Sequence, residues 1–287
     1  MPEFTVIFPI YNVEKYVEKS LKSILKQTFQ DFELICVNDC TQDNSMQIIE
    51  KFAKNDSRIK IIHHSENKGL GAARNTALKE ASGKYIVCVD SDDWVENNFL
   101  EKIHQAFEEN DVDSVMVKYW VYEELIDYAH ISTLFPAFAH FLGGNYLFTP
   151  NNITNHPSYA WNKAYKTEII RENYYQWMEG VFYEDVFFYF NYLINHPKTY
   201  IINEMLYYYR QRENSITKNK NTSYKKLEDM FKVLKMLYKT FDAQMQSEEV
   251  KQAVLTYAKQ FRGQYVNTKN EKLTELMFSK FLCEINS

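Results

Sequence analysis

Apolar residues in the first part of the chain fall into short β-branched runs, separated by segments with helical spacing. The runs predict strands at 4–9 (FTVIFP), 33–38 (ELICVN), 58–63 (RIKIIH) and 85–90 (YIVCVD). The segments between them, 14–27, 43–54 and 69–81, carry apolar residues three and four positions apart and predict helices. Strands and helices that alternate in this way are typical of a parallel sheet covered by helices on both faces.

The pattern changes after a fifth predicted strand at 114–118. Residues 119–150 are aromatic-rich and irregular, and further elements are predicted as a helix at 184–195 and a strand at 205–210. From residue 223 onward the apolar spacing is helical, with further helices near 247–266 and 271–283. We therefore expect an α/β fold with a mostly parallel central sheet flanked by helices, followed by an α-helical appendix.

Polar residues follow each of the first four predicted strands. They are Tyr11 and Asn12, then Asp39, then Asn67 and Gly69, then Asp90, Ser91, Asp92 and Asp93. Sheets of this kind bind ligands at the carboxyl ends of their strands, so these side chains are expected at one site. The first strand–helix turn has no glycine, and no GxxxxGK[ST] loop is present, which excludes the common dinucleotide and P-loop sites.

The charge is unevenly distributed along the chain. The net charge is −5, but residues 217–287 carry 13 Lys and Arg against 8 Asp and Glu. A basic helical tail suits either an anionic membrane surface or a solvated helix face, and both interpretations stay open. No apolar run is long enough to span a bilayer, and Met1 leads directly into a strand-like segment, so we expect a cytoplasmic protein, with the inner membrane face as a further candidate location.

The strand end at Asp90–Asp93 offers ligands for a hard divalent cation. The four cysteines show no CxxC spacing, so a metal would be held by oxygen, and Mg²⁺ or Mn²⁺ prefers carboxylates. Asp90 and Asp92 lie two residues apart and point to the same side of an extended backbone. Asp93 stands three residues before Glu96, as a helix-capping box requires, and is assigned to that structural role.

Residues 4 to about 217 resemble a family 2 glycosyltransferase of the GT-A fold. The matching blocks are FPIYN at 8–12, VNDCTQDNS at 37–45, NKGLGAARN at 67–75, DSDD at 90–93, AWNKAY at 160–165, EG at 179–180, ED at 184–185 with Phe188, YYYR at 207–210 and SIT at 215–217. The resemblance implies a domain at 1–217, with a nucleotide-sugar-binding half at 1–118 and an acceptor half at 119–217, and a helical region at 218–287.

The resemblance also implies a donor site. Its residues would be Pro9, Tyr11, Asn12, Asp39, Asn67, Gly69, Arg74, Asp90, Ser91, Asp92, Lys163, Arg210, Arg212 and Ser215. Asp39 would bind the uracil imide, Asp90 the ribose, and Asp92 the Mn²⁺ or Mg²⁺ that bridges the phosphates of a nucleotide-diphosphate sugar. Arg210, Arg212 and Ser215 resemble a segment that closes over the donor, although Arg212 also suits a plain surface position.

Asp185 matches the catalytic base of the family, with Glu184 beside it. Inverting transfer needs one carboxylate near the acceptor hydroxyl, and the alternative is that both residues are first-turn helix acids favoured by the helix dipole. Cys40 departs from the usual glycine, so the turn lacks the freedom of glycine at positive φ. The QxxRW motif of processive members is missing, which disfavours a polymer-extruding synthase.

Three classes of function are compatible with these residues. The leading one is an inverting, metal-dependent glycosyltransferase that moves one sugar, most readily from a UDP-sugar, to a hydroxyl of a surface or lipid-linked glycan, with no nucleic-acid partner. A nucleotidyltransferase would place a glycine-rich, basic loop after the first strand, and PIYNVEKYV is not such a loop. A non-catalytic nucleotide-sugar or glycan-binding module would not need both Asp92 and Asp185.

Overall fold

The computed structural model describes residues 1–132, 135–212, 223–265, 268 and 270–285. Its strands are β1 (Phe4–Ile10), β2 (Phe32–Asn38), β3 (Ile59–His63), β4 (Tyr85–Cys88), β5 (Trp94–Val95), β6 (Ser114–Glu123), β7 (Tyr128–Ile131), β8 (Gly144–Leu147), β9 (Lys163–Lys166) and β10 (Lys198–Gln211). Its α-helices are α1 (Val17–Leu25), α2 (Ser45–Ala53), α3 (Leu70–Glu80), α4 (Phe99–Glu109), α5 (Pro136–His140), α6 (Thr167–Glu172), α7 (Glu184–Asn195), α8 (Ser223–Ala243), α9 (Glu248–Gly263) and α10 (Glu271–Ile285).

The first four strands form the parallel half of the sheet, as the hydrophobic pattern predicts. They lie in the order β3-β2-β1-β4, and every pair in this series is parallel. β1 is buried along its whole length because it lies in the middle of these strands and is covered on both faces. The carboxyl ends of β1, β2 and β4 therefore meet at one edge of the sheet.

The second half of the sheet is mixed, and this refines the prediction of a mostly parallel sheet. After β4 the order continues β9-β6-β10-β5. β9 runs antiparallel to both of its neighbours, β4 and β6, whereas β6 and β10 are parallel. The α/β class with flanking helices is confirmed.

The aromatic stretch at 119–150 adds antiparallel strands to this sheet. β6 continues to Glu123, passes through a 3-10 turn at Glu124–Ile126, and returns as β7, which pairs with it. β8 pairs antiparallel with β10. The boundary expected at residue 118 therefore falls inside β6, and the strands on either side of it share one sheet.

The helical appendix is confirmed as α8, α9 and α10. Its core contains Phe231, Phe261, Phe278 and Phe281, whose rings contact one another. The backbone N–H of Phe182 donates to Asp229 Oδ2 of α8 at 2.9 Å, so the appendix also holds the chain just before α7. The boundary expected at 217 lies outside the described residues.

In the part of the chain that the structure describes, no helix is both long enough and apolar enough to cross a membrane.

Candidate active site

The polar residues that follow β1, β2 and β4 come together at one edge of the sheet. Ile10 pairs with Asn38 at the ends of β1 and β2, and the N–H of Asp39 donates to the Ile10 carbonyl at 3.0 Å. Val89 follows β4 and donates to the Ile7 carbonyl at 3.0 Å, which places Asp90 beside the end of β1. The structure therefore brings the residues that follow these three strands to the same edge.

Two non-glycine residues with positive φ shape the loops next to this edge. Asn12 (φ 51°) accepts hydrogen bonds from the Thr41 hydroxyl and the Gln42 N–H, so it joins the end of β1 to the loop after β2. Cys40 has φ 62°. The turn thus keeps the left-handed conformation that glycine would adopt freely, at a steric cost to Cys40. Tyr11 is 45% exposed and available to a ligand.

Asp39 organises the loop that precedes α3. Its side chain is buried and accepts hydrogen bonds from the N–H groups of Lys68 and Gly69, each at 2.8 Å. His64 Nδ1 lies 2.7 Å from the same carboxylate, and Asn67 Nδ2 donates to the Asp39 carbonyl at 3.3 Å. Asp39, Asn67 and Gly69 are therefore brought together as predicted, and Asp39 already has several partners within the chain.

One face of α3 holds the segment that leads to α7. A Cβ on Gly71 would lie 2.2 Å from the Met178 carbonyl oxygen, so only glycine permits this approach. Asn75 Nδ2 donates to the Trp177 carbonyl at 2.9 Å, and the Trp177 N–H donates back to Asn75 Oδ1 at 2.9 Å. Asn75 also donates to Glu179 Oε1. The GLGAARN block therefore positions residues 177–184.

Arg74 lies on the same face and bridges two acidic elements. Its guanidinium is 2% exposed and donates to Asp90 Oδ1 at 3.0 Å and to Glu184 Oε1 at 2.6 Å. Burial lowers the pKa of Arg74, but the two carboxylates together outweigh this effect. The pKa of Arg74 is therefore raised, and Arg74 stays charged. The structure does not favour the predicted direct contact between Arg74 and the nucleotide, because the guanidinium is buried and already paired with two carboxylates.

Asp185 lies in the first turn of α7, directly after Glu184 of this ion pair. Burial and the neighbouring Glu184 raise the pKa of Asp185 to about 7, although Arg74 and Lys163 oppose the change. Tyr183, just before the two acids, has φ 63°, a conformation that costs of the order of 1–3 kcal/mol. No hydrogen bond to the Asp185 carboxylate is present among the described residues. The Asp185 side chain is half-buried. Because its pKa is about 7, the carboxyl group can gain or lose a proton near neutral pH.

Lys163 is committed to the chain around it. Its ammonium is 1% exposed and donates to the carbonyls of Pro157 and Tyr159 and to Asn162 Oδ1, at 2.6–2.8 Å. Burial lowers the pKa of Lys163. Because an ammonium has three N–H donors, none remains for a donor phosphate. This geometry supports a structural role for Lys163 and does not favour the predicted contact between Lys163 and the nucleotide sugar.

Asp93 is a structural residue, but the predicted helix cap is wrong. The residues that follow it form β5, and α4 begins later, with Asn98 at its N-cap. The Asp93 carboxylate instead accepts the Tyr207 hydroxyl and the Arg210 N–H, each at 2.8 Å. Burial and the adjacent carboxylates raise the pKa of Asp93. It fixes the DSDD strand end to β10.

Asp92 is paired with Arg212. Arg212 Nε lies 2.8 Å from Asp92 Oδ2, and the Nε of Arg210 donates to the Asp92 carbonyl at 2.8 Å. Burial raises the pKa of Asp92, and Asp90 raises it further, while Arg212 lowers it. Arg212 is thus placed at the site and is not a plain surface residue. Ser91 is buried between the two aspartates.

Arg210 is enclosed by aromatic rings. Its guanidinium lies 4.9 Å from the Tyr16 ring, 4.8 Å from Trp94 and 5.3 Å from Tyr122, and a terminal nitrogen is 3.6 Å from Glu124. Tyr16 also donates to Glu124 Oε2 at 3.2 Å. Sequence reasoning missed these contacts because Tyr122 and Glu124 lie in the stretch for which no pairing was predicted.

Two predicted donor-site residues, Pro9 and Ser215, remain. Pro9 is buried in β1 opposite Val37 of β2, where it contributes shape to the floor of the site. Ser215 lies outside the described residues.

A separate group of metal-ligand types lies at the opposite end of the sheet. Glu3, His104 and Glu108 have side-chain atoms within 4.8 Å of one another, and Glu3 precedes the start of β1. The ammonium of Lys84 lies 3.1 Å from Glu3 and 3.0 Å from Glu108, so a cation of the chain itself already neutralises them. This group is not part of the strand-end site.

The chain resembles a known protein family and several known proteins. Residues 5–172, more than half of the chain, match the family described as glycosyl transferase family 2. The chain is 32% identical over 222 residues to glycosyltransferase GlyA of Streptococcus pneumoniae, which covers 75% of this chain and 32% of GlyA. It is 34% identical over 227 residues to the uncharacterized glycosyltransferase EpsJ of Bacillus subtilis, which covers 76% of this chain and 63% of EpsJ. The chain thus spans about a third of GlyA and less than two thirds of EpsJ.

A solved structure shares the fold along almost the whole chain. It is residues 1–349 of TarS from S. aureus in complex with UDP-GlcNAc, with a TM-score of 0.79 and 23% identity, covering 99% of this chain and 80% of that one. At this identity the likeness shows the fold alone.

Proposed function

The chain belongs to glycosyl transferase family 2, and from that premise we propose that it is an inverting, metal-dependent glycosyltransferase. It would move a single sugar from a UDP-sugar to a hydroxyl of a growing surface or lipid-linked glycan by one displacement. Since TarS, which shares the fold, was solved with UDP-GlcNAc, that nucleotide sugar is the first donor to test.

The observation that carries the proposal is the bridge formed by Arg74. One guanidinium contacts Asp90 at the end of β4 and Glu184 at the start of α7. Asp90, one of the proposed donor-binding carboxylates, and Glu184, the neighbour in sequence of the proposed base Asp185, therefore both lie within hydrogen-bond reach of one guanidinium group. A single displacement needs this arrangement, because the acceptor must attack opposite the departing diphosphate.

The DSDD strand end fits a hard divalent cation. Asp90 and Asp92 supply carboxylate oxygens, which Mn²⁺ and Mg²⁺ prefer. Burial raises the pKa of Asp92, and repulsion from Asp90 adds to this rise. Asp92 would hold the cation, and Asp90 would bind the ribose. When bound, the cation would neutralise charge on the leaving diphosphate. For Asp92 to use Oδ2 in this way, it must release Arg212, whose guanidinium would then be available to the diphosphate.

The nucleoside would lie against the loops after β1 and β2. Tyr11 is exposed there, and Asp39 stands at the base of the loop formed by Asn67 and Gly69. Asp39 contributes by fixing this loop, and its remaining lone pairs would meet the uracil imide. The arrangement favours a base pocket whose shape is set before the donor binds.

Asp185 would accept the proton of the acceptor hydroxyl. A base works best when its pKa lies near the operating pH, and burial raises the pKa of Asp185 to about 7. Glu184 is held by Arg74 and would position α7 rather than accept the proton. The alternative of two plain first-turn helix acids does not account for the buried ion pair.

The acceptor identity, the cytoplasmic location and membrane contact through the basic helical tail remain predictions.

The test is a calorimetric titration of UDP in the presence and absence of Mn²⁺. Wild type should bind UDP more tightly with Mn²⁺, and Asp92→Ala should lose that increment while it keeps the same circular dichroism spectrum. Asp111→Ala is the matched control, because the Asp111 side chain is 86% exposed and lies just before β6, away from the strand-end edge. An Asp92→Ala protein that retains the full Mn²⁺ increment would disprove the metal assignment.

A further inference from the structure

The segment directly before the proposed base turns through two residues with positive φ. Gly180 has φ 70° and Tyr183 has φ 63°. Glycine adopts this conformation freely, but for tyrosine it is strained and persists only where the surrounding structure over-determines it. Contacts from outside the segment must therefore hold Tyr183, and Glu184 and Asp185 follow it directly in the chain.

The first turn of α7 is not fixed by a cap of its own. Tyr183 stands at the N-cap position, and its side chain makes no capping hydrogen bond. Tyrosine is not a residue type that caps helices well, because capping needs a short side chain with an acceptor oxygen. The packing of other elements therefore decides where this turn lies.

Helix α3 holds the chain on either side of this turn. The side chain of Asn75 bonds Trp177, and that of Arg74 bonds Glu184. Phe182 lies between these two attachment points, in the part of the chain that contains the left-handed residues. Contacts from another element are needed to set how the chain turns there.

The helical appendix supplies these contacts. Asp229 of α8 accepts the N–H of Phe182 through Oδ2 at 2.9 Å, and the Asp229 side chain is 4% exposed. The Tyr183 ring packs edge-on against Phe261 of α9, with centroids 5.7 Å apart. The hydroxyls of Tyr183 and Tyr265 share a hydrogen bond. Two consecutive residues before the acids are thus held by the appendix.

Asp229 is placed for this contact and not for solvent. A buried carboxylate is costly unless it has hydrogen-bonding partners, and this one has the Phe182 N–H and the Lys225 ammonium, the latter at 2.8 Å. The Lys225 side chain is 55% exposed and lies one turn earlier on the same helix. Neither a solvated helix face nor a membrane-facing one calls for a buried carboxylate directed at the segment before α7.

The position of the proposed base depends on this turn. Asp185 follows Phe182 by three residues, and its carboxyl group has no hydrogen bond among the described residues. A base without hydrogen bonds of its own is placed by its backbone. A displacement of about 1 Å at a reacting centre can cost about 100-fold in rate.

We propose that Asp229 is a positioning residue for sugar transfer, which holds the turn at Phe182 and thereby sets where the Asp185 carboxylate meets the acceptor. This inference rests on the proposed glycosyltransferase function, and it makes the helical appendix part of the catalytic unit. Asp229 affects the chemical step and not nucleotide binding, because other contacts hold the loops at the strand-end edge.

The experiment compares four variants of the full chain. Asp229→Leu removes the acceptor of the Phe182 N–H, whereas Asp229→Asn keeps an oxygen in its place. Lys225→Gln removes the neighbouring ion pair alone, and Phe281→Leu weakens the core of the appendix away from this turn. Should Asp229→Leu not fold, Asp229→Ala serves instead, since it also lacks the acceptor oxygen.

Two quantities are measured on each variant. Turnover is the rate of UDP release from saturating UDP-GlcNAc with Mn²⁺, with water as the acceptor, and UDP affinity is measured by calorimetry. Asp229→Leu should lose about 10- to 100-fold in turnover and keep its UDP affinity within about 2-fold. Asp229→Asn should stay within about 3-fold of wild type in turnover, because its oxygen can accept the same N–H. Lys225→Gln and Phe281→Leu should also stay near wild type.

Three results would overturn the proposal. The first is full turnover in Asp229→Leu. The second is a loss in Asp229→Asn or Phe281→Leu that equals the loss in Asp229→Leu, because the hydrogen bond to Phe182 would then not be the cause. The third is a parallel loss of turnover and UDP affinity, which would indicate general damage to the fold.

Hydrogen–deuterium exchange distinguishes failure of this inference from failure of the proposed function. Peptides that cover residues 180–186 should exchange at least about 10-fold faster in Asp229→Leu than in wild type or Asp229→Asn. If wild type releases no UDP but the variants show this pattern, the proposed function fails while the contact between α8 and the turn stands. If exchange at 180–186 is the same in all the proteins, Asp229 does not hold this turn and the inference is wrong.

Discussion

Replacing the proposed base by its amide should stabilise the protein while it abolishes activity. Asp185→Asn preserves the shape of the side chain and removes its charge. The carboxyl group is half-buried next to Glu184, and its pKa is raised to about 7 from 3.8. The folded protein therefore holds this proton over a pH range in which the unfolded chain has already lost it.

The sign of the stability effect follows from that difference. Because the folded state binds the proton more tightly, the contribution of Asp185 to stability is greatest below its unfolded pKa and is lost as pH rises from about 4 to about 7. Three pKa units correspond to about 4 kcal/mol, and partial solvent access and sharing with Glu184 reduce this to roughly 2 kcal/mol. Asparagine carries no such cost at high pH.

The assay is urea unfolding of both proteins at pH 5 and pH 8. Asp185→Asn should have the higher free energy of unfolding at pH 8, and its advantage should be about 1–3 kcal/mol larger there than at pH 5. Asp242→Asn, at an exposed position on α8, is the control and should show no such pH dependence. A gain that is equal at both pH values would refute the argument from burial.

Activity should change in the opposite direction. Wild-type kcat/KM should fall as pH drops below about 7, with the Asp185 carboxyl group responsible for the acid limb. Asp185→Asn should lose on the order of 10²- to 10⁴-fold in turnover, keep its UDP affinity, and lack that limb. An acid limb near pH 7 that persists in the variant would assign it to another group.

Three other substitutions test the supporting structure. Gly71→Ala would bring a Cβ within 2.2 Å of the Met178 carbonyl, so turnover should fall by about 10- to 100-fold and the free energy of unfolding by about 1–3 kcal/mol, measured by steady-state kinetics and urea titration. Arg74→Leu should cost about 3–5 kcal/mol of stability, because it leaves the Glu184 carboxylate buried without a partner; a cost below about 1 kcal/mol would contradict the pairing. Cys40→Gly should raise the free energy of unfolding by about 0.5–1 kcal/mol, since it relieves a left-handed φ; destabilisation would show that the turn is unstrained.

The parallel half of the fold could be predicted from the sequence because its signals are local. Each strand–helix pair between residues 4 and 90 shows its own periodicity, and β1 to β4 appear close to their predicted bounds. The strand-end rule then places Asp39 and Asp90 together without further information. The family resemblance adds Asp185, which no periodicity distinguishes from an ordinary helix-start acid.

The mixed half could not be predicted because its pairings are distant in sequence. β10 is longer than the predicted strand at 205–210, since its first residues pair with β8, which lies in the irregular stretch. Asp93 matched a capping box, but Tyr207 and Arg210 compete for its carboxylate from far along the chain.

The role of Arg74 was also set by a distant partner. The sequence places it on a helix near the donor site, and only the position of α7 shows that it pairs with Glu184. The spacing of Gly71, Arg74 and Asn75 on one face of α3 was the available signal that this helix packs against a neighbouring segment.

The most direct test of the central claim is the anomeric form of the sugar that the protein releases from UDP-α-GlcNAc with Mn²⁺ and no added acceptor, followed by proton NMR. With water as the acceptor in a single displacement, the β anomer should appear first, and Asp92→Ala should release no sugar. If the α anomer appears first, the displacement is not a single inverting step. If no sugar is released from UDP-GlcNAc or from other UDP-, GDP- and CDP-sugars, the account of this site as a sugar-transfer centre is contradicted.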